Sequence, residues 1–423
     1  TTVSSGAALE MSGNITTAEA LSLAGTGISS GGALRNISGN NTGTGAITLG
    51  AATRINADAG ALALSGGLTG TGYALTVGGA GDVNISTSGI NTSTAGTLVK
   101  DGAGVLTVGA AGNFDGGTTL SAGTLRAGNN SALGTGSLAL NGGTLASDSA
   151  TARTLANNIT MGGDVILGEA STGTGDLKLS GTVALGASGR TFTVNNSLSE
   201  LSGNIGGDAG VGLSKSGSGT LVLSGTNTHT GTTTVGAGVL VLSNGSAIAN
   251  TAAVSLDNVA GATLSVAGSE MIGSLRGGGA TGGNVSIAGG QTLTVAETGG
   301  QTFAGVISNT GALAKTGAGT LTLTAANTYT GATTVSAGKL VVDGSIASSA
   351  VTVTNTGTIG GSGSVGALTI NGGGTLAPGN SPGTLYAASS TWGDGGKYDW
   401  EIFSLTNNPG TSWDLLSVTP GSL

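Results

Sequence analysis

The 423-residue sequence has no cysteine, one histidine, four prolines, and only four Phe, three Trp and four Tyr. Without cysteine there is no disulfide scaffold and no thiolate chemistry. A single histidine excludes a multi-histidine metal site within one chain. Charge is equally scarce. The 12 Lys+Arg and 20 Asp+Glu make up 8% of the chain, where a soluble domain carries about 25%. The few basic residues stand singly in a chain of net charge −8, so no nucleic-acid partner is expected. No apolar run approaches the roughly 20 residues that span a bilayer, and no membrane insertion of this chain is expected. The opening Thr1-Thr2-Val3 lacks the basic and apolar parts of a signal peptide, and reads as a mature chain or a piece of a larger one.

Glycine, by contrast, is abundant at 86 residues, about three times its usual share of roughly 7%. It shows no three-residue period, which excludes collagen. So much Gly, with Thr, Ser and Val, disfavours helices and favours strands. Hydrophobic residues at 38% and a mean hydropathy of +0.28 supply enough apolar material for a core.

Three stretches align without gaps: residues 98–127 (LVKDGAGVLTVGAAGNFDGGTTLSAGTLRA), 213–242 (LSKSGSGTLVLSGTNTHTGTTTVGAGVLVL) and 313–342 (LAKTGAGTLTLTAANTYTGATTVSAGKLVV). Each places Lys (100, 215, 315) two residues after Leu, and shares Gly at 104, 219 and 319, at 116, 231 and 331, and at 123, 238 and 338. Within each copy, alternating pairs recur 19 residues apart: Leu106/Val108 with Leu125/Ala127, Leu221/Leu223 with Leu240/Leu242, Leu321/Leu323 with Leu340/Val342. Period-two alternation marks a strand with one buried face, and its recurrence with Gly-rich turns marks a solenoid. A coil of 19–20 residues is too short for a helix plus strands. It fits three short strands with tight corners, a parallel β-helix whose coils stack at about 4.8 Å. Roughly 19 such coils would make a rod on the order of 90 Å.

The pattern L-x-K-x-G-x-G-x-L-x-L followed by N-T-Y-T-G-x-T-T-V-x-x-G-x-L resembles the passenger-associated transport repeat of Gram-negative autotransporters, and the related autotransporter-associated β-strand repeat. The third copy matches nearly throughout, the second carries His229 in the aromatic slot, and the first carries Asn113-Phe114-Asp115. The stretches Asn129 to Leu145 and Gly361 to Leu385 look like coils that accompany such repeats. The resemblance implies an all-β, right-handed parallel β-helix on or outside a Gram-negative cell. The family's passengers include adhesins, aggregation factors and structural surface proteins, and its members end in a membrane barrel that is not seen in this sequence.

Residues 1–97 are expected to form N-terminal coils, 98–376 the coils bearing the three repeats, and 377–423 a distinct C-terminal module. All four Pro (378, 382, 409, 420) and all three Trp (392, 400, 413) follow Thr375. Trp392, Tyr398, Trp400, Phe403 and Trp413 read as an aromatic cap plugging the open core, since terminal repeats are atypical. The alternatives are a carbohydrate platform and a head-to-tail docking surface.

No catalytic, cofactor or metal site emerges. Gly361-Ser-Gly-Ser-Val-Gly366 satisfies G-x-G-x-x-G but precedes a strand-like Ala-Leu-Thr-Ile, not a helix. His229 occupies the slot of Phe114 and Tyr329, which indicates packing. Gly78-Gly79-Ala80-Gly81-Asp82 and Gly162-Gly163-Asp164 approach calcium-binding turns but are not tandem. Asp148, Asp164, Glu169 and Asp176 form one of the denser acidic stretches, thinner than a hydrolase cleft requires. Lys100, Lys215 and Lys315 are the most regular charges, expected as a solvated edge or a binding stripe along one side. Together these features point to a non-enzymatic extracellular structural or adhesive protein. Its expected partners are further copies of itself, in fibres or aggregates, and cell-surface or matrix glycans. The alternative is a polysaccharide-binding or polysaccharide-degrading β-helix.

Overall fold

A computed structural model of the chain describes residues 1–405 and 408–418. Apart from one 3-10 turn at Ile28–Ser30, its regular elements are strands, and they pair in parallel as a β-solenoid of about 19 turns. Among the described residues no helix is long and apolar enough to cross a membrane.

The repeat sequences set the coil. In the first, Thr97–Lys100 pairs with Thr118–Leu120 and Val105–Val108 with Thr124–Ala127. Leu98 thus meets Thr118 after 20 residues and Leu106 meets Leu125 after 19. The third side of the coil is thin, no more than the single bridge Ser93 to Phe114 there. Outside the repeats the step varies from 17 residues (Val351 to Leu368) to 31 (Leu385 to Leu416). Inward side chains fix the strand register, because a one-residue slip would turn the apolar set outward. The corners lie at the surface and absorb the difference in length.

Alternation produces the core directly. Leu62, Val83, Leu106, Leu125, Leu145, Leu167 and Val194 follow one another through successive pairings and are at most 1% exposed. The same logic gives Leu240, Leu264, Val285 and Ile307. Each such burial is worth about 1.5–3 kcal/mol. Polar side chains between the strands stitch coil to coil. Asn40 Oδ1 accepts the N–H of Ala61, Asn158 Oδ1 that of Thr182 and Asn284 Oδ1 that of Val306, at 3.1, 3.1 and 2.9 Å.

The chain divides into two compact units, Thr1–Asp208 with Gly219–Leu221, and the remainder. The first carries arginine bridges that vault a coil. Arg54 grips Asp101, 47 residues on, through both carboxylate oxygens at 2.8 and 2.9 Å. Arg126 holds Glu169, 43 residues on, at 2.8 and 3.1 Å. The intervening position must be small: a Cβ on Gly78 would lie 2.0 Å from Asp101 Oδ1 and 2.3 Å from Arg54 Nη2. In the second unit the corners straighten into long strands, Thr333–Val342, Val351–Gly361 and Thr384–Trp392. Gly361 and Gly366 fall at the end of one strand and within the next, Ser364–Ile370, so the G-x-G-x-x-G stretch opens no helix.

Truncating Leu125 to Ala should cost about 2–5 kcal/mol, the range for a buried Leu whose neighbours cannot close the gap. Denaturant unfolding of the variant beside the parent checks it.

Candidate functional site: the repeat corners and the C-terminal aromatic segment

The three repeat lysines do not form a surface stripe. Lys100, Lys215 and Lys315 are 1%, 0% and 0% exposed. Each ammonium turns inward and donates to three backbone carbonyls. For Lys100 these are Asp101 O, Gly102 O and Ala122 O at 2.8, 2.8 and 3.2 Å. For Lys215 they are Ser216 O, Gly217 O and Ala237 O at 2.9, 2.9 and 3.0 Å. For Lys315 they are Thr316 O, Gly317 O and Ala337 O at 2.7, 2.8 and 3.3 Å. Two acceptors belong to the lysine's own corner and the third to the next coil. Nor do Lys215 and Lys315 share a column. Pairing from Lys215 runs through Val235, Leu256, Gly277 and Phe303 to Leu323, not to Lys315.

The reason lies in the corner. Gly102 and Gly123 adopt φ of 73° and 68°, a region costly for residues with a Cβ. A Cβ on Gly123 would stand 2.4 Å from Gly102 O and 2.7 Å from Lys100 Nζ. The turn leaves carbonyls facing the interior without water, and the three ammonium donors satisfy them. Burial pushes Lys100 and Lys215 down to about 8 and lowers Lys315 too. Asp101 and Asp82 oppose the shift at Lys100, as Glu297 does at Lys315.

Fourteen residues after each lysine comes a second buried position. Phe114, His229 and Tyr329 are 2%, 0% and 0% exposed, which places His229 in the core as a packing residue. A threonine at Lys+18 answers each: Thr118 donates to Leu133 O at 3.0 Å, Thr233 Oγ1 lies 3.0 Å from His229 Nε2, and Thr333 Oγ1 lies 2.7 Å from the Tyr329 hydroxyl. This threonine was open to sequence reasoning, since it recurs at a fixed offset. Glu270 was not. It is 2% exposed and receives the N–H groups of Ala247 and Ile248 at 3.1 and 3.0 Å. Burial raises its carboxyl to about 7.

The acidic stretch is occupied by structure. Asp148 pairs with Arg153 at 2.7 Å and Glu169 with Arg126, while Asp164 accepts the Thr191 N–H and Asp176 the Ser197 hydroxyl. Asp82, in the nearest approach to a calcium turn, accepts the Val105 N–H. Among the described residues no three His, Cys, Asp or Glu side chains are grouped to hold a metal. A shallow groove of about 460 Å³ is lined by Glu169, Asp176, Asn195 and Ser197. A second, of about 310 Å³, is lined by Lys339, Asn380, Asp399, Glu401 and Asp414. Asp414 is already taken up there, receiving the N–H groups of Gly383 and Glu401.

An aromatic plug is not shown, although the pairing sets Tyr398 over Leu376 and Trp392 over Ile370. Leu376, Leu385 and Ala387 are buried, and Tyr398, Leu416 and Val418 of the next coil pair with them. Trp392, Tyr398, Trp400 and Phe403 lie 42%, 42%, 51% and 85% exposed, and Trp413 is half-buried. Pro420 lies outside the described residues. Two of the exposed rings are anchored at their polar tips. Trp400 Nε1–H donates to Asp414 O at 2.9 Å, and the Tyr398 hydroxyl bonds to the backbone of Leu416. Trp392 leans on Tyr398 with centroids 6.1 Å apart and planes tilted by 58°, so the pair is not coplanar. Among the described residues, seven of the twelve large exposed hydrophobic ones lie between Tyr386 and Leu405, which makes this segment the candidate contact surface.

Residues 98–127, 213–242 and 313–342 match the family model of the passenger-associated-transport-repeat. A stretch of 102 residues, 23% of this chain, is 42% identical to the adhesin BmaC autotransporter of Brucella suis biovar 1 (strain 1330), and spans 3% of that protein's length. No solved structure matches the chain. The three repeats, the likeness to an adhesin and the β-solenoid fit an autotransporter passenger β-helix.

Replacing Lys215 by Met should cost about 2–4 kcal/mol. Unsatisfied buried carbonyls cost about 1–3 kcal/mol each, and removing a buried charge offsets part of that. The parent should also gain stability as pH rises from about 8 to 10.5, because the unfolded lysine still holds its proton there and the folded one does not. Unfolding of parent and variant across that range checks both, and the alkaline gain should shrink in the variant.

Proposed function

We propose that this chain is a non-enzymatic, surface-exposed, adhesin-like passenger of a Gram-negative bacterium, and that it makes contact through the aromatic segment at Tyr386–Leu405. The observation that carries the reading is the presence in one chain of three passenger repeats and a stretch 42% identical to an autotransporter adhesin. The chemistry of the solenoid supports it. Asp148, Asp164, Glu169 and Asp176 are each engaged by an arginine, a hydroxyl or a backbone N–H, and repetition presents surface at fixed spacing, the condition for avidity.

The partners we propose are uncharged cell-surface or matrix glycans. Trp392, Tyr398 and Trp400 offer exposed ring faces, and two of them are held at their polar tips, so little ordering entropy is lost on binding. Asp394, Asp399 and Glu401 stand beside them against one Lys397, which disfavours an anionic ligand by like-charge repulsion. Self-association is the second reading, favoured by the same unburied apolar side chains. Glycan arrays and cell-binding assays test the first, and sedimentation over a range of concentrations the second. Trp400→Ala should weaken adhesion by at least about 2 kcal/mol, the loss of an aromatic anchor, with the circular dichroism spectrum unchanged. Equal adhesion by parent, Trp392→Ala and Trp400→Ala would remove the contact from this segment.

A further inference from the structure

The Lys+14 position is filled by Phe114, His229 and Tyr329 in the three repeats, all buried. Phenyl and phenol are compatible with that site at any ordinary pH. Imidazole is the one side chain whose ordinary titration falls between pH 5 and 8. At His229, Nε2 pairs with Thr233 Oγ1 at 3.0 Å, and Nδ1 is buried without a partner. The tautomer that fits donates from Nε2 and leaves a bare Nδ1 lone pair, because a buried N–H without an acceptor is the costlier orphan. Protonation would create that orphan N–H together with a charge.

Nothing around the ring compensates the charge. From 216 to 256 the chain has no Asp, Glu, Lys or Arg, so neither His229's own coil after Lys215 nor the strands Thr233–Val235, Val239–Leu242 and Ala253–Leu256 bring a counter-ion. The Lys215 ammonium is turned into its carbonyl cradle. On the preceding segment Asp208 is exposed. Glu270 is committed to Ala247 and Ile248. Burial is accordingly the one cause acting on the imidazole, and it lowers the pKa from 6.5.

We propose that His229 makes the second repeat an acid-labile seam in the solenoid: on acidification its coil opens locally, while the first and third repeats stay closed. The sign follows from linkage. The unfolded imidazole takes up a proton below about 6.5 and the folded one resists, so the stability of this coil falls as pH drops through that value. Glu270 works the other way. Its raised carboxyl takes up a proton more readily folded than unfolded, so acidification from about 7 towards 4.5 adds stability there. An acid effect confined to residues near 229 therefore comes from the histidine. Opening there would release the unpaired strand edges of the neighbouring coils, which are templates for pairing with another chain.

Hydrogen exchange on the whole chain, at about pH 7.5 and about pH 5 and corrected for intrinsic rates, tests the proposal. Peptides covering 227–235 should lose protection by about tenfold or more at the lower pH, one pKa unit being a factor of ten. The equivalent peptides at 112–120 and 327–335 should not. His229→Tyr installs the third repeat's residue and should abolish the difference. His229→Phe, the first repeat's residue, is the second variant should the hydroxyl not fit. Equal protection of the three repeats at low pH overturns the proposal, and so does acid sensitivity that survives either substitution.

Discussion

A buried ammonium that satisfies inward-facing carbonyls is the interaction on which the repeat depends. A solenoid corner must reverse the chain in a few residues, and a left-handed glycine does so at the expense of pointing backbone acceptors away from water. Each such acceptor is costly if orphaned. Lys100, Lys215 and Lys315 each supply three donors on a flexible stem, which matches three carbonyls drawn from two successive coils. The lysine and the glycines require one another. A side chain at Gly123 would collide with the Lys100 ammonium, and the carbonyl of Gly102 would be unpaired without it. That mutual dependence is why the two residue types recur together.

The parallel β-solenoid was legible because its cause is periodic: inward residues alternate along a strand and recur at the coil length. The 19-residue offset was readable for the same reason. Coil lengths elsewhere were not, since corners tolerate insertion and leave the inward pattern intact. The lysine positions were readable and their environment was not. A lone charge in a polar segment ordinarily faces solvent, and nothing in the linear sequence shows that three carbonyls wait inside. The arginine bridges were equally hidden. Spacings of 47 and 43 residues become adjacency only after two uneven coils have been laid down. Trp392, Tyr398, Trp400, Phe403 and Trp413 were identifiable by composition alone. Their exposure was not, because alternation marks which side chains face the core and not whether a further coil lies over them.

The scarcity of charge acquires a physical meaning in this architecture. Coils stack residue over residue at the strand spacing, so a charge repeated in one column would repel its copies at about 4.8 Å. The chain avoids this in two ways. Glu10, Arg35 and Asp58 alternate in sign across coils, with Arg35 3.1 Å from Glu10 and 2.6 Å from Asp58. Elsewhere Asn, Thr and Ser do the stitching, where like side chains can bond to one another or to the backbone of the next coil. Neutral ladders of this kind suit a surface that meets salt and changing pH, since they carry no titratable group.

Titratable groups inside the core are the exception, and their placement separates two roles. Three lysines stand at corners where each has three backbone acceptors, which offset part of the cost of burial that lowers their pKa. His229 stands at a packing position whose sister residues need no acceptor at all, and one of its nitrogens has none. The same repeat therefore contains a charged residue the fold has provided for and an ionisable one it has provided for in only one protonation state. All three copies hold a lysine whose pKa burial lowers, but an imidazole stands in the second alone.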